Sequence, residues 1–202
     1  RVRWFDHWLK GRANGVERGP AVRLFLMGGG SERRNAAGRM AHGGRWIAAE
    51  AWPLPQTRFV PYYLHADGTL SPEEPAANAA PISFDYDPDD PVPTIGGPLT
   101  SGQPVFEGGA FDQREDARFF GCTRFGLPLA ARRDVLVFQT APLAEDVAVI
   151  GPLVIRLHVS SNCVDTDFTA KLIDVHPANP DYPRGFAMNL ADGILRLRYR
   201  DS

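Results

Sequence analysis

Asp165-Thr166-Asp167-Phe168-Thr169-Ala170-Lys171-Leu172-Ile173-Asp174-Val175, taken with the apolar runs on either side of Asp192-Gly193, decides the fold of this chain. Phe168, Ala170 and Leu172 alternate with Thr169, Lys171 and Ile173. That period of two sends successive side chains to opposite faces of a strand. Asp192-Gly193 lies between the runs 186–190 and 194–199, and an Asp-Gly pair so flanked predicts a hairpin turn. In the last run Leu195, Leu197 and Tyr199 are expected on a core face, with Arg196, Arg198 and Arg200 on a wet, basic one.

Working outward, the β pattern continues. Residues 134–139, 147–150 and 153–159 are rich in β-branched side chains and are separated by Pro142 and Gly151-Pro152. Val22-Arg23-Leu24-Phe25-Leu26-Met27 is apolar enough to be a strand covered on both faces. A glycine-rich loop follows (Gly28 to Gly30, then Gly43-Gly44), and a short helical stretch is expected around 46–52. Residues 57–64 read as a strand that Pro61 confines to an edge or bulge. Asp67-Gly68 reads as a turn and 82–86 as a further short strand, while Pro88, Pro91, Pro93 and Pro98 make 87–98 an extended loop. Short strands at this spacing, with almost no helix, predict an all-β chain: an antiparallel two-sheet sandwich, most simply a jelly roll.

The first ten residues differ. Trp4, Phe5, Trp8 and Leu9 share one helical face, and Gly11 is a natural stop. A helix of about three turns this aromatic is stable only against something large. Residues 12–20, punctuated by Gly15 and Gly19-Pro20, read as a linker. Arg1 is no initiator methionine and the run 196–202 stops as a strand would be cut, so the chain is expected to be a fragment.

Bulk properties narrow the partners. Among 202 residues the net charge is −2, without the basic excess of a nucleic-acid binder or any attraction to an anionic membrane. No apolar run approaches a membrane span, and no signal-peptide pattern opens the chain. Cys122 and Cys163 make no disulfide framework and no metal spacing, which points to buried or half-buried thiols and a cytoplasmic setting.

Chemistry-bearing motifs are sparse. A nucleophile elbow needs G-x-S-x-G between strand and helix. Gly29-Gly30-Ser31 comes nearest, but Arg33 stands where the second glycine belongs. His7, His42, His65, His158 and His176 have no sequence-visible nucleophile beside them. Asp85, Asp87, Asp89 and Asp90 form one acidic cluster and Asp165 with Asp167 another. Neither has the calcium-loop spacing, and Asp before Pro is ordinary turn chemistry, so no metal or cofactor is expected. Trp46, Trp52, Phe59, Tyr62 and Tyr63 could form a sugar platform, although packing is the commoner fate of such side chains.

An ordered series of segments resembles the X-Pro dipeptidyl-peptidase and cocaine-esterase-like serine hydrolases, a family that includes α-amino-acid ester hydrolases and cephalosporin acylases. It runs from Arg3-Trp4-Phe5-Asp6-His7-Trp8-Leu9-Lys10-Gly11 through Val22 to Gly28, Trp52-Pro53-Leu54-Pro55 and Tyr62-Tyr63-Leu64-His65. Asp87-Pro88 through Pro91-Val92-Pro93-Thr94-Ile95-Gly96-Gly97, Phe111-Asp112-Gln113-Arg114 and Arg133-Asp134-Val135-Leu136 continue it. Asp165 to Val175 and Asp192-Gly193-Ile194-Leu195-Arg196 close it.

The resemblance implies an α/β-hydrolase domain with a Ser-Asp-His triad upstream of Arg1, followed by this C-terminal, galactose-binding-like jelly roll. Residues 1–11 would be the last helix of that upstream domain, 12–20 the linker and 21–202 an incomplete sandwich. No catalytic residue falls within the chain, since His7 matches the family's helix and not its base. Val105 and Phe106 match a loop that approaches the acyl pocket, and interdomain packing is the plainer role for the same residues. The implied partners are the upstream catalytic domain and a small ester, amide or X-Pro peptide substrate, with neither nucleic acid nor membrane; association into a homo-oligomer stays open. The alternatives are a stand-alone carbohydrate- or ligand-binding jelly roll, and a structural module assembling through 1–27 or the final strand.

Overall fold

The computed structural model describes residues 2–97 and 108–200. Their regular backbone is almost entirely β, in three two-stranded antiparallel sheets. β1 (Val22–Gly29) pairs with β2 (Gly43–Ala49), β3 (Tyr63–Leu64) with β4 (Leu70–Ser71), and β5 (Asp167–His176) with β6 (Phe186–Arg196).

β5 is the strand its alternation predicts, but its partner turns elsewhere. Asp192-Gly193 is not a hairpin turn: it lies within β6, opposite Lys171 and Ala170. An Asp-Gly turn needs glycine at positive φ, and Gly193 is not among the positive-φ glycines. The reversal is made instead by 177–185. There Asn179 Oδ1 accepts from the Asp181 and Tyr182 N–H groups, both at 3.0 Å, and Gly185 adopts φ 72°. Beyond Arg196 the expected strand gives way to a 3-10 turn, Leu197–Tyr199.

The stretch expected to be helical around 46–52 is in fact mostly strand. Trp46, Ile47, Ala48 and Ala49 pair with Phe25, Leu24, Arg23 and Val22. A short apolar run has no decisive period, so a neighbouring strand in need of hydrogen bonds chooses for it. β1 is covered on one face only: Val22, Leu24 and Leu26 are half-buried, whereas Phe25 and Met27 are exposed.

The Asp67-Gly68 turn is present. Gly68 N–H donates to His65 O at 3.0 Å and Thr69 N–H to Asp67 Oδ1 at 2.9 Å. The strand expected over 57–64 shortens to Tyr63–Leu64. Asp87–Asp90 is the turn that its Asp-Pro pairs imply, with Asp89 N–H on Asp87 Oδ1 at 2.9 Å.

Residues 82–86, 134–139, 147–150 and 153–159 form no named strand among the described residues. Gln139 alone of these bridges a neighbour, exchanging hydrogen bonds with Gly68 O at 2.9 Å and Leu70 N at 3.0 Å. A β-branched run becomes a strand only where another backbone takes its N–H and C=O groups. Here those runs lie open, with Val147, Leu153, Ile155 and Val159 exposed.

Two small cores hold the rest. Met40, Tyr182, Phe186 and Met188 pack between the β1–β2 loop and β6. Ile95, Phe119 and Leu129 form the second, with Phe111 against Phe119 edge-to-face at 5.8 Å. The structure exposes 15532 Å². A self-contained protein of 22.2 kDa exposes roughly 9,400 Å². Large apolar faces are therefore uncovered.

The helix at the start, α1 (Val2–Trp8), is shorter than expected but stops in the expected way, with Gly11 at φ 62°. Trp4 is 53% and Trp8 58% exposed. The linker folds back on it: Arg3 Nη2 donates to Asn14 O at 2.8 Å, and Asn14 Nδ2 returns a bond to Arg3 O at 2.6 Å. Among the described residues no helix is long and apolar enough to cross a membrane.

Candidate functional site

Val105 and Phe106, the residues expected to approach substrate, lie outside the described residues. Both stems of the segment that carries them are described, and both lead to β6. On the N-terminal side, Gly97 is held at φ 79°, and a Cβ there would stand 2.5 Å from Asp192 Oδ2 and 2.7 Å from Oδ1. On the C-terminal side, Gly109 and Ala110 line a cavity of about 300 Å³ with Phe25, Met27, His42, Met188 and Asn189. The chain then runs beside β6: Gln113 N–H donates to Ala187 O at 2.9 Å and Ala187 N–H to Asp112 Oδ1 at 3.0 Å.

The face presented to those stems follows from register. The pairing shifts between Leu172, opposite Ala191, and Ile173, opposite Asn189, so Leu190 is an extra residue in β6. Such a bulge resets the alternation. Asn189 and Asp192, three apart, therefore share one face, together with Lys171. Lys171 Nζ lies 3.4 Å from Asp192 Oδ2, and that aspartate's side chain is 14% exposed. Asp192 Oδ1 and both amide atoms of Asn189 are buried with no partner among the described residues. His42 Nδ1, at the cavity, is in the same condition.

Three of the other histidines have polar neighbours. His7 Nδ1 lies 3.0 Å from Arg12 O, and His176 sits between Glu32 Oε1 and Asp174 Oδ2, each at 3.2 Å. Sequence reasoning missed one pair that resembles a nucleophile and its base. His65 Nε2 is 3.1 Å from Ser71 Oγ, and the Asp67-Gly68 turn that brings them together is the signal that could have found it. The same Nε2 is also 3.1 Å from Glu73 O, an atom that only accepts. It therefore carries the proton and cannot take one from Ser71. Ser31 Oγ merely accepts from Arg33 N–H at 3.4 Å.

Arginine engages both carboxylates of the second acidic cluster and Asp90 of the first. Arg196 forks onto Asp167 at 2.8 and 3.0 Å, and Arg198 Nε bonds Asp165. Hydrogen bonding to Arg196 is the main force holding the Asp167 carboxyl below its ordinary range. Asp90 is taken by Arg124 and Arg132. Among the described residues no three His, Cys, Asp or Glu side chains converge as metal ligands. Nor does a ring contact join Trp46 to Trp52, Phe59, Tyr62 or Tyr63 among them; Trp46 packs on Phe25 at 5.5 Å.

This geometry supplies a scaffold with two loop stems and no assembled catalytic group among the described residues, and comparison with known proteins agrees in kind. The chain belongs to the family of X-Pro dipeptidyl-peptidase C-terminal non-catalytic domains, whose sequence model matches residues 14–202. It is 36% identical to the cocaine esterase of a Rhodococcus species over 98% of this chain and 30% of that enzyme. A protein of Mycobacterium bovis and one of Mycobacterium tuberculosis, each named "Putative serine esterase", are both 26% identical over 98% of this chain and 26% of their own length. The chain thus spans less than a third of the curated relatives it matches. No solved structure matches it.

Proposed function

We propose that this chain is the accessory β-sandwich, of jelly-roll type, of a serine hydrolase that cleaves esters, amides or X-Pro dipeptides through an acyl-enzyme. Residues 1–11 serve as the last helix of an upstream α/β-hydrolase domain, 12–20 as the strap, and 21–202 as the sandwich. Val105 and Phe106 give apolar contact to the acyl side of the substrate. The two free thiols, Cys122 and Cys163, suit a cytoplasmic setting.

The observation that carries this reading is the bare aromatic face of α1. Trp4, Phe5 and Trp8, with Leu9 just beyond, all stand exposed on a helix of two turns, which cannot be stable for its own sake. Such a face is made to be covered. A free sugar-binding module has no use for it, whereas a helix returning to an upstream domain does. The start of the family match at residue 14, just after this helix, supports the same division.

The test compares the complete polypeptide with this chain alone in p-nitrophenyl acetate hydrolysis and phosphonate labelling. The complete polypeptide is expected to turn over and to label on a serine outside these residues. Turnover by the chain alone, with label on Ser31 or Ser71, would overturn the proposal.

A further inference from the structure

We propose that residues 12–19 are a latch rather than a flexible linker, and that Asn14 is the positioning residue that fixes the direction in which the sandwich leaves the catalytic domain. This rests on the reading of α1 as the last helix of an upstream hydrolase domain. As free chain, residues 12–20 would let the sandwich wander by roughly 17 Å. The strap is held more closely than that. Asn14 is tied through both backbone and side chain. Its Nδ2 donates to Arg3 O at 2.6 Å, its O accepts from Arg3 Nη2 at 2.8 Å, and its Oδ1 accepts the Val16 N–H at 3.1 Å.

The rest of the strap follows from that anchor. The Asn14 N–H donates to Arg12 O at 2.9 Å, and the Arg12 N–H to Asp6 O at 3.0 Å. His7 Nδ1 stands 3.0 Å from Arg12 O and 3.5 Å from Glu17 Oε2, a second tie from the same helix. Gly15 turns the strap at φ 70°, and a Cβ there would meet nothing, so the glycine serves the backbone and not the packing. The 3-10 turn Val16–Arg18 closes with the Gly19 N–H on Val16 O at 3.2 Å. Only Gly19, Pro20 and Ala21 separate that turn from β1, roughly 10 Å at full stretch. Pro20 has a fixed φ and favours an extended residue before it, as Gly19 is at φ −76° and ψ 167°. The contacts between helix and strap therefore decide how the sandwich is carried.

The experiment uses the complete polypeptide. A spin-labelled phosphonate on the catalytic serine and a spin label on the exposed thiol of Cys163 give the distance distribution between the two domains. The unsubstituted protein is expected to give a narrow distribution, and Asn14→Ala one broader by about 10 Å, toward that of a free linker. Amide exchange at Val16 should quicken about tenfold beside it, the effect of losing a hydrogen bond or two. Arg3→Met breaks the latch from the helix side and should broaden the distribution as well; it stands in if the Asn14 variant folds poorly. The two replacements together should broaden it no further than Asn14→Ala alone, since they remove one shared contact. Trp4→Ala combined with Trp8→Ala, which loosens the helix in its seat, is measured beside them. A distribution broadened by the tryptophan pair but unmoved by Asn14→Ala and Arg3→Met overturns the inference and leaves the helix reading intact. A distribution unmoved by the tryptophan pair overturns that reading and the inference with it. Faster exchange at Val16 without any broadening reduces Asn14 to a structural residue and also overturns the inference.

Discussion

Arg132 forks onto Asp134, with Nε and Nη2 each 2.8 Å from a carboxylate oxygen, while only 5% of the arginine side chain meets solvent. The other edge of the guanidinium reaches Asp90, at 3.2 Å from Nη1 to Oδ1. One buried cation thereby staples the proline-rich loop to the segment after Leu129. Its partner Asp134 is held below the ordinary carboxylate range, chiefly by the hydrogen bonds from Arg132. Removing one member of such a group leaves uncompensated charge out of water. Arg132→Met is expected to cost about 3 kcal/mol in urea unfolding, and Arg132→Lys less, because a lysine keeps the charge but loses the fork. Equal losses for the two would mean that the fork geometry, and not the charge, matters there.

A second carboxylate gives a pH signature. Asp181 is lowered to about 2, first by the hydrogen bond from Arg33 Nε and then by the Arg34 backbone N–H. Its folded value lies below the unfolded one, near 3.9. The stability it contributes is therefore complete above about pH 4 and lost as pH falls from there through about 2. Thermal midpoints across that window should fall less steeply in Asp181→Asn than in the unsubstituted chain. Parallel curves would show that the link between the β1–β2 loop and the β5–β6 turn adds no stability.

How far these features are legible in the sequence depends on the range of the interaction. Asp67-Gly68 is readable because its hydrogen bonds close within five residues. β5 is readable because an alternating face needs only the strand itself. Asp192-Gly193 carries the same dipeptide signal as Asp67-Gly68 but sits opposite Lys171 and Ala170, since Asn179 and Gly185 had already turned the chain. The runs 147–150 and 153–159 carry β propensity without a partner backbone among the described residues, and propensity alone makes no strand. The shared face of Asn189 and Asp192 depends on the bulge at Leu190, which no periodicity announces. The ordered motifs nevertheless lead to the right family, whose sequence model matches residues 14–202.

α1 offers a contrast between two contexts. Trp4 and Trp8 lie 5.6 Å apart, and Trp8 also packs edge-on against His7 at 4.7 Å within the same helix. In the isolated chain Trp4→Ala or Trp8→Ala is expected to change stability by no more than about 0.5 kcal/mol, as at an ordinary exposed site. In the complete polypeptide the same substitutions should cost about 3 kcal/mol or more, the range for a truncated core aromatic. Tryptophan emission should shift to the blue on going from the isolated chain to the complete one. Equal costs in the two contexts would mean that the helix face stays bare, against the proposed packing.

Glu115 is 3% exposed, yet among the described residues no ion pair joins it to a cation. Its Oε2 accepts the backbone N–H groups of Thr123 at 2.7 Å and Arg124 at 2.8 Å. The loop from Asp116 to Gly126 is thus closed by a side chain where a strand would use a carbonyl. The backbone completes the closure, with Glu115 N–H on Leu127 O at 2.9 Å and Gly126 N–H on Glu115 O at 2.8 Å. Glu115→Gln keeps an oxygen where Oε2 stands and should cost under about 1 kcal/mol. Glu115→Ala strands two donors and removes a buried side chain, for an expected loss of about 3 kcal/mol. Amide exchange gives the sharper readout: the Thr123 and Arg124 amides should lose protection in the alanine variant while Gln113, bonded to β6, keeps its own. Loss of protection at all three would mean that Glu115 supports the whole sheet edge rather than the loop alone.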